Sequence, residues 1–119
     1  MKYFIIYMLI GTYLLTASVD MPKDDLNTAE VKKVKKFYKK YFQKACHYTA
    51  ANFAQMRTQA QWEKLEDTEN FIHEVIHICP NATDMVAKIL IKATGKEKFD
   101  YLRRFSIQYA KDTGKFPPC

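Results

Sequence analysis

The clearest pattern of hydrophobic and polar positions lies between residues 28 and 46. Apolar side chains recur there at helical spacing and fill an arc of about 140° on a helical wheel, and lysines occupy the remaining arc. Asn27 and Glu30 have the spacing of a capping box, in which each side chain bonds a backbone amide of the other residue. We therefore predict an amphipathic helix that begins after Asn27 and either ends near Cys46 or continues towards Met56. Its apolar positions are Val31, Val34, Phe37, Tyr38, Tyr41, Phe42 and Ala45.

A second helical segment follows, and its apolar side is formed by Trp62, Leu65, Ile72, Val75, Ile76 and Cys79. Thr58 can cap its start, and Asp67 marks either a kink or a new helix start. Pro80 ends it, because the residue before a proline avoids helical dihedral angles.

Two more helices complete the pattern. One begins at Asn81 or Thr83 and ends near Gly95, since glycine is the usual residue just past a helix end. The last helix carries one apolar stripe, formed by Phe99, Leu102, Phe105, Tyr109 and Ala110. Because no segment alternates in the manner of a strand, we predict an all-α fold of four or five short helices in a small orthogonal array or bundle, stabilised by a disulfide.

The first 18 residues have the pattern of a secretion signal. A positive charge at Lys2 precedes an apolar run, and small residues follow it as far as Ser18. We expect cleavage after Ser18, which leaves a single helical domain at 19–119 in the periplasm or outside the cell. An uncleaved anchor is the alternative, although the run is short for a membrane span of about 20 apolar residues.

The chain has three cysteines, Cys46, Cys79 and Cys119. Export makes a disulfide between two of them possible, because disulfides persist in oxidising compartments. Three sulfurs allow three pairings and leave one cysteine over, which is then available for a mixed disulfide with a partner. Among these pairings we favour Cys79 with Cys119. This bond would hold the chain end against the second helix and contribute about 3–4 kcal/mol in the chain-entropy model. Cys46 would be the spare cysteine.

The net charge of +6 is concentrated on the first helix. We expect its basic side to bind an acidic periplasmic protein, and the alternative is an ordinary solvated surface. Export disfavours nucleic acid, and the aromatic side chains of this helix are expected on its opposite, buried side. Repulsion between like-charged faces favours a monomer. The expected binding residues are Lys32, Lys33, Lys36, Lys39 and Lys40.

A possible zinc site begins with His73-Glu74-Val75-Ile76-His77, which is the H-E-x-x-H pattern on a predicted helix. His73 and His77 would bind the metal, Glu74 would act as general base, and Glu97 would be the third protein ligand. The pattern is short enough to arise by chance, and both histidines fall on the polar flank of the helix. We therefore rank a metallopeptidase below a protein without enzymatic activity.

A possible haem site lies at Cys46-His47. Covalent haem attachment uses C-x-x-C-H, but Gln43 stands where the first cysteine would be. Met56 and Met85 could act as a distal iron ligand. A disulfide cysteine beside an incidental histidine is the simpler interpretation, so we expect no bound cofactor and keep haem and zinc as alternatives.

Several short patterns of the mature chain occur in a fixed order, namely Lys44-x-Cys46, Asn52-Phe53-Ala54, Thr58-Gln59-x-Gln61-Trp62-Glu63, Cys79-Pro80 and Tyr109-Ala110-x-Asp112-x-Gly114-x-x-Pro117-Pro118-Cys119. In this order, and in the placement of its cysteines, the chain resembles a group of small exported proteins of campylobacter-type bacteria. These are loosely labelled cytochrome c-like, although they lack an intact haem-attachment motif. The resemblance implies a periplasmic location and a role for all three cysteines, and it does not require His47, His73 or His77.

From the residues and the resemblance together we expect a small periplasmic accessory protein without enzymatic activity. It would act as a cytochrome c-like protein or as a redox or envelope partner, without intact covalent haem. The alternatives are a zinc metallopeptidase and a purely structural secreted binding module.

Overall fold

The computed structural model describes residues 25–118 of the chain. Within this range short loops join α-helices, a π-helical segment and a 3-10 turn, and there is no β-strand. The predicted all-α, disulfide-stabilised fold is confirmed. The expected signal peptide at residues 1–18 lies outside the described residues. In the described part, no helix is long and apolar enough to cross a membrane.

The first helical stretch has three consecutive parts, namely α1 (Thr28–Tyr38), a π-helical segment (Lys39–Gln43) and α2 (Lys44–Cys46). The predicted capping box is present. The Asn27 side chain accepts a hydrogen bond from the Glu30 backbone amide, and the Glu30 side chain accepts one from the Asn27 backbone amide. The stretch ends at Cys46 because His47 takes a left-handed backbone conformation with φ 62°. It therefore does not continue towards Met56.

Three helices follow, namely α3 (Ala50–Ala54), α4 (Gln59–Glu63) and α5 (Thr68–Ile78). Each helix begins after a residue whose side chain accepts a hydrogen bond from a backbone amide. This bond satisfies one of the amide donors that a helix start leaves unpaired. Thr58 and Asp67 act in this way as predicted, and Asp67 starts a new helix instead of kinking one. Thr49 caps α3 by the same means, although the sequence analysis did not predict that helix.

The 3-10 turn (Pro80–Ala82) leads into α6 (Thr83–Ile91), and α7 (Gly95–Gln108) follows. The expected side-chain cap at Asn81 or Thr83 is wrong, because Ala82 occupies the cap position and the Thr83 hydroxyl donates to the Pro80 carbonyl instead. Gly95 does not follow a helix end but opens α7. It packs so closely on α6 that a Cβ atom would overlap the carbonyl oxygen of Ile89.

The core is organised around α7, which packs against α1, α3, α4, α5 and α6. Phe99, Leu102 and Phe105 are completely buried along its apolar side, as the sequence pattern predicts. Aromatic rings fill much of the space around them. Phe53 and Trp62 are adjacent, with ring centroids 5.1 Å apart, and the Trp62 indole donates to the Ala54 carbonyl at 2.8 Å. The apolar sides of the helices therefore close on one core.

A disulfide joins Cys46 to Cys79, with a Cα–Cα distance of 5.6 Å. The expected pairing of Cys79 with Cys119 is therefore wrong, and Cys46 is not the spare cysteine. The physical reason is that α2 packs against the 3-10 turn that follows Cys79, which brings two buried sulfurs together. Cys119 itself lies outside the described residues.

Candidate functional site

Within residues 25–118 the H-E-x-x-H residues are not grouped with a further ligand as a metal site would require. His73 and His77 are exposed on α5, and the Glu74 carboxylate accepts a hydrogen bond from the Arg57 side chain at 2.8 Å. Glu97 lies elsewhere, beside α1. In the range 25–118, no three histidine, cysteine or acidic side chains are grouped so that they could hold a metal ion. The arrangement of Glu74 is that of an ion pair between helix α5 and the loop before α4.

The haem candidates are also accounted for by the fold. The Cys46 sulfur is bonded to Cys79 and so carries no thiol for a haem vinyl group in this oxidised form. His47 is exposed and provides the left-handed residue that ends α2. The sequence alone could not separate this structural use of Cys46-His47 from an incomplete haem motif.

We use the name basic face for the exposed side of the first helical stretch that consists of Lys32, Lys33, Lys36, Lys39 and Lys40. All five side chains are exposed, as the helical pattern predicts. In the described part of the chain, none of them forms an ion pair with a carboxylate. The positive charge of this surface is therefore uncompensated within residues 25–118.

A groove of about 450 Å³ runs beside the basic face. We call it the tail groove, and its lining includes Lys35, Lys36, Lys39, Ala50, Ala51, Phe116 and Pro117. The chain end is held there because the Lys35 ammonium donates to the Pro118 carbonyl at 2.7 Å. Phe116 remains 71% exposed, which is unusual for a ring of this size. The groove thus combines an apolar surface with a cationic edge.

A second groove, of about 480 Å³, lies on the other side of α1, against α7. Phe37 and Tyr101 contribute apolar surface, and the charged lining residues are Glu30, Lys33, Glu97 and Lys98. Because both signs of charge are present, this groove offers less electrostatic selectivity than the tail groove.

The side chains of Lys40, in the π-helical segment, and of Lys92, just after α6, meet at Tyr41. The Lys92 ammonium donates to the Tyr41 phenol oxygen at 2.8 Å, and the ammonium nitrogens of Lys40 and Lys92 lie 5.2 and 5.1 Å from the ring centroid. The hydrogen bond from Lys92, assisted by the charge of Lys40, lowers the pKa of Tyr41 below its ordinary value of 10.0. The expectation that the aromatic rings of this helix all face away from its lysines is therefore wrong at Tyr41.

The tyrosine was not identified from the sequence as a site residue. Lys92 is 51 positions away from it, and no local pattern connects the two. The exposed Phe116 was missed for a related reason, since its position against α1 depends on how the chain end folds back.

The fold and these surfaces define a small disulfide-linked helical protein with an exposed basic face. Comparisons with protein-family models, with curated proteins and with solved structures found no match for the chain.

Proposed function

We propose that this chain is an exported accessory protein without enzymatic activity, which binds an acidic protein through its basic face. The observation that carries the proposal is the group of five exposed lysines that lack carboxylate partners in the described structure. Such a surface attracts a negatively charged partner over a distance of about 8–10 Å at physiological salt and orients it during encounter.

The buried disulfide supports export, because such bonds form and persist in the periplasm and outside the cell. We propose a periplasmic or secreted location after cleavage of the signal behind Ser18. The like-charged faces disfavour self-association, so the free protein is proposed to be a monomer.

The tail groove supplies the second half of the recognition. Lys36 and Lys39 belong to both the basic face and the groove, and Phe116 stands exposed at the same place. A partner segment that carries carboxylates and one apolar side chain would match both the charge and the apolar surface. We propose such a segment as the occupant, since charge alone gives orientation and attraction but little burial.

The redox form of this proposal depends on Cys119. Because Cys46 and Cys79 are bonded to each other, Cys119 is the remaining cysteine and the one available for a mixed disulfide. It directly follows Pro118 in the sequence, and the Pro118 carbonyl accepts a hydrogen bond from the Lys35 ammonium at the tail groove. A partner docked in that groove would therefore lie close to Pro118, the residue before Cys119 in the sequence.

The test is calorimetric titration of the mature protein with a short poly-glutamate peptide that contains a central leucine, at low and at physiological salt. The triple variant Lys32→Glu, Lys36→Glu, Lys39→Glu should weaken binding at least about tenfold, which is about 1.4 kcal/mol. The matched control is the variant Lys64→Glu, Lys88→Glu, Lys111→Glu, which makes the same charge change at exposed lysines elsewhere.

Equal losses in the two triple variants would show that only net charge matters and would refute a specific basic face. Absence of binding to the wild-type protein even at low salt would also refute it. Phe116→Ser separates the groove from the charge, because it should weaken binding of the leucine peptide and leave binding of plain poly-glutamate unchanged.

A further inference from the structure

We propose that Lys40, Tyr41 and Lys92 form a binding site for a doubly charged phosphate group. We call these three residues the anion clamp. The clamp shares Lys40 with the basic face, but the inference does not rest on the proposed acidic partner, because Tyr41 and Lys92 lie outside that face and Lys92 follows the carboxyl end of α6.

The clamp concentrates positive charge around one tyrosine side chain. Two ammonium groups approach the same phenol ring, at 5.2 and 5.1 Å from its centroid, and one of them is hydrogen-bonded to the phenol oxygen. Neither Lys40 nor Lys92 has a carboxylate partner among residues 25–118. Two ammonium groups beside the same side chain repel one another, and an anion that contacts both would reduce that repulsion.

The charge of the clamp indicates which anion fits. A phosphate monoester carries about −1.5 to −2 at pH 7 and has three acceptor oxygens, so it can neutralise both lysines. A single carboxylate neutralises only one. The clamp offers ammonium donors from both lysines, and the Tyr41 hydroxyl can donate its own proton while its oxygen accepts from Lys92. The hydrogen bond from Lys92, together with the charges of Lys40 and Lys92, lowers the pKa of Tyr41.

The fold places the clamp residues on well-defined backbone. Lys40 and Tyr41 belong to the π-helical segment Lys39–Gln43, and π-helical turns within α-helices occur frequently at functional sites. Lys92 follows α6 in a tight turn, in which the Gly95 amide donates to the Lys92 carbonyl at 3.0 Å. Because Gly95 packs directly on the backbone of α6, this turn has little freedom to move Lys92 away from Tyr41.

The phosphate could belong to a free phosphorylated molecule or to a lipid headgroup, and the chemistry recognised is the same. The residues before Lys92 bear on this choice, because Leu90 is 38% exposed and Ile91 is 84% exposed. An exposed aliphatic residue beside a phosphate site is what contact with a lipid surface would use.

The first test is titration of the mature protein with inorganic phosphate, at constant ionic strength set with chloride, followed by the tyrosine absorption and by calorimetry. Lys92→Gln and Tyr41→Phe should each weaken phosphate binding several-fold, and Lys88→Gln on the exposed side of α6 is the matched control. Binding should be stronger at pH 8 than at pH 5, because inorganic phosphate, like a phosphate monoester, gains its second negative charge between these two pH values.

Three results would overturn the clamp: no saturable phosphate binding, an equal loss in Lys88→Gln, or acetate binding as tightly as phosphate at the same ionic strength. Failure of the basic face leaves the clamp standing, because the triple variant Lys32→Glu, Lys36→Glu, Lys39→Glu keeps all three clamp residues.

The second test separates the two sources of phosphate. Vesicles of phosphatidic acid in phosphatidylcholine are compared with pure phosphatidylcholine vesicles by co-sedimentation. A lipid source predicts binding to the first vesicles only, with a loss in Lys92→Gln and in Ile91→Ser. A free source predicts phosphate binding that Ile91→Ser leaves unchanged and no vesicle binding. Vesicle binding that Lys92→Gln does not reduce would contradict the clamp.

Discussion

The carboxylate of Asp112 accepts a hydrogen bond from the backbone amide of Gln59 at 2.8 Å. Gln59 is the first residue of α4, where helix geometry leaves backbone amides without partners. The same junction is closed by the Gln59 side chain, which donates to the Ile107 carbonyl, and by the Lys111 amide, which donates to the Arg57 carbonyl. The segment after α7 is thus joined to the start of α4.

The structure gives a role to several residues in the part of the ordered sequence pattern that begins at Thr58 and ends at Cys119. Thr58 and Gln61 form a capping box, Trp62 is buried with its indole on Ala54, and Asp112 pairs with the helix start. The ordered pattern therefore describes the scaffold, and it does not identify a reaction or a ligand.

Removing the Asp112 side chain should destabilise the fold. Asp112→Ala leaves the Gln59 amide without its acceptor, and we expect the free energy of unfolding to fall by about 1 kcal/mol, as for other helix-start acceptors. Urea denaturation followed by the Trp62 fluorescence measures the change. Glu66→Ala, at an exposed acidic residue between α4 and α5, should stay within about 0.5 kcal/mol of the wild type. Equal effects would mean that the hydrogen bond does not matter.

The Cys46–Cys79 disulfide should contribute a large part of the stability. It closes a loop with a sequence separation of 33, for which the chain-entropy model gives about 4 kcal/mol. The double variant Cys46→Ser, Cys79→Ser should therefore unfold at much lower urea concentration. Cys119→Ser should leave the midpoint unchanged, whereas a comparable loss in that variant would mean that the C-terminal cysteine is also structural.

Thiol counting tests the pairing directly. With Cys46 and Cys79 bonded, the denatured and unreduced monomer should present a single reactive thiol, at Cys119. Cys119→Ser should abolish the signal, and reduction of the wild-type protein should expose all three cysteines. A monomer without any reactive thiol would contradict this assignment and remove the basis for a mixed disulfide.

The parts of the fold that were predicted from the sequence are those that depend on near neighbours in the chain. The apolar spacing of α1 is local, and so is the capping box of Asn27 and Glu30, because both are set within one or two helical turns. The disulfide pairing was not predicted, since it depends on α2 packing against the turn after Cys79. The predicted pairing with Cys119 assumed that a disulfide would be needed to fix the C-terminal segment. In the structure, a hydrogen bond from the Lys35 ammonium to the Pro118 carbonyl fixes this segment.

The candidate site divides in the same way. Exposure of the basic face follows from the helical pattern of the lysines alone. The anion clamp and the tail groove each bring together residues far apart in sequence, and the hydrogen bonds Lys92–Tyr41 and Lys35–Pro118 span 51 and 83 positions. No local spacing predicts such contacts, and no sequence pattern predicts the π-helical segment that carries Tyr41.

Tyr38 presents the opposite case to Tyr41. Its side chain is 1% exposed, and its hydroxyl has no hydrogen-bond partner within the described structure, so burial raises its pKa well above 10.0. Tyr38→Phe removes an unsatisfied polar group and should raise the free energy of unfolding by about 1 kcal/mol or more. Tyr109→Phe is the contrasting control. The Tyr109 hydroxyl accepts a hydrogen bond from the Gln108 side chain at 3.2 Å, so its removal should not raise the free energy of unfolding.

The pH dependence of the same variant follows from linkage. Above about pH 10 the unfolded chain loses the Tyr38 proton, while the folded chain keeps it, so the unfolded state binds fewer protons and stability falls as the pH rises. Tyr38→Phe removes this contribution, so the stability of the variant should decline less than that of the wild type between about pH 9 and about pH 11. An unchanged decline would mean that Tyr38 ionises without unfolding.

Gly95 links the stability of the fold to the anion clamp. A Cβ atom at this position would overlap the Ile89 carbonyl oxygen, which belongs to the backbone and cannot rotate away. Gly95→Ala should therefore open the turn between α6 and α7, lower the free energy of unfolding by about 1–3 kcal/mol, and move Lys92 away from Tyr41. The pKa of Tyr41 should then rise towards its ordinary value, which the absorbance titration of the tyrosines measures.

Gly114→Ala is the control, because its φ of 71° makes alanine unfavourable but no atom lies within 4 Å of the added Cβ. It should cost some stability and leave the Tyr41 titration unchanged, and a matching shift in both variants would disconnect the turn from the clamp.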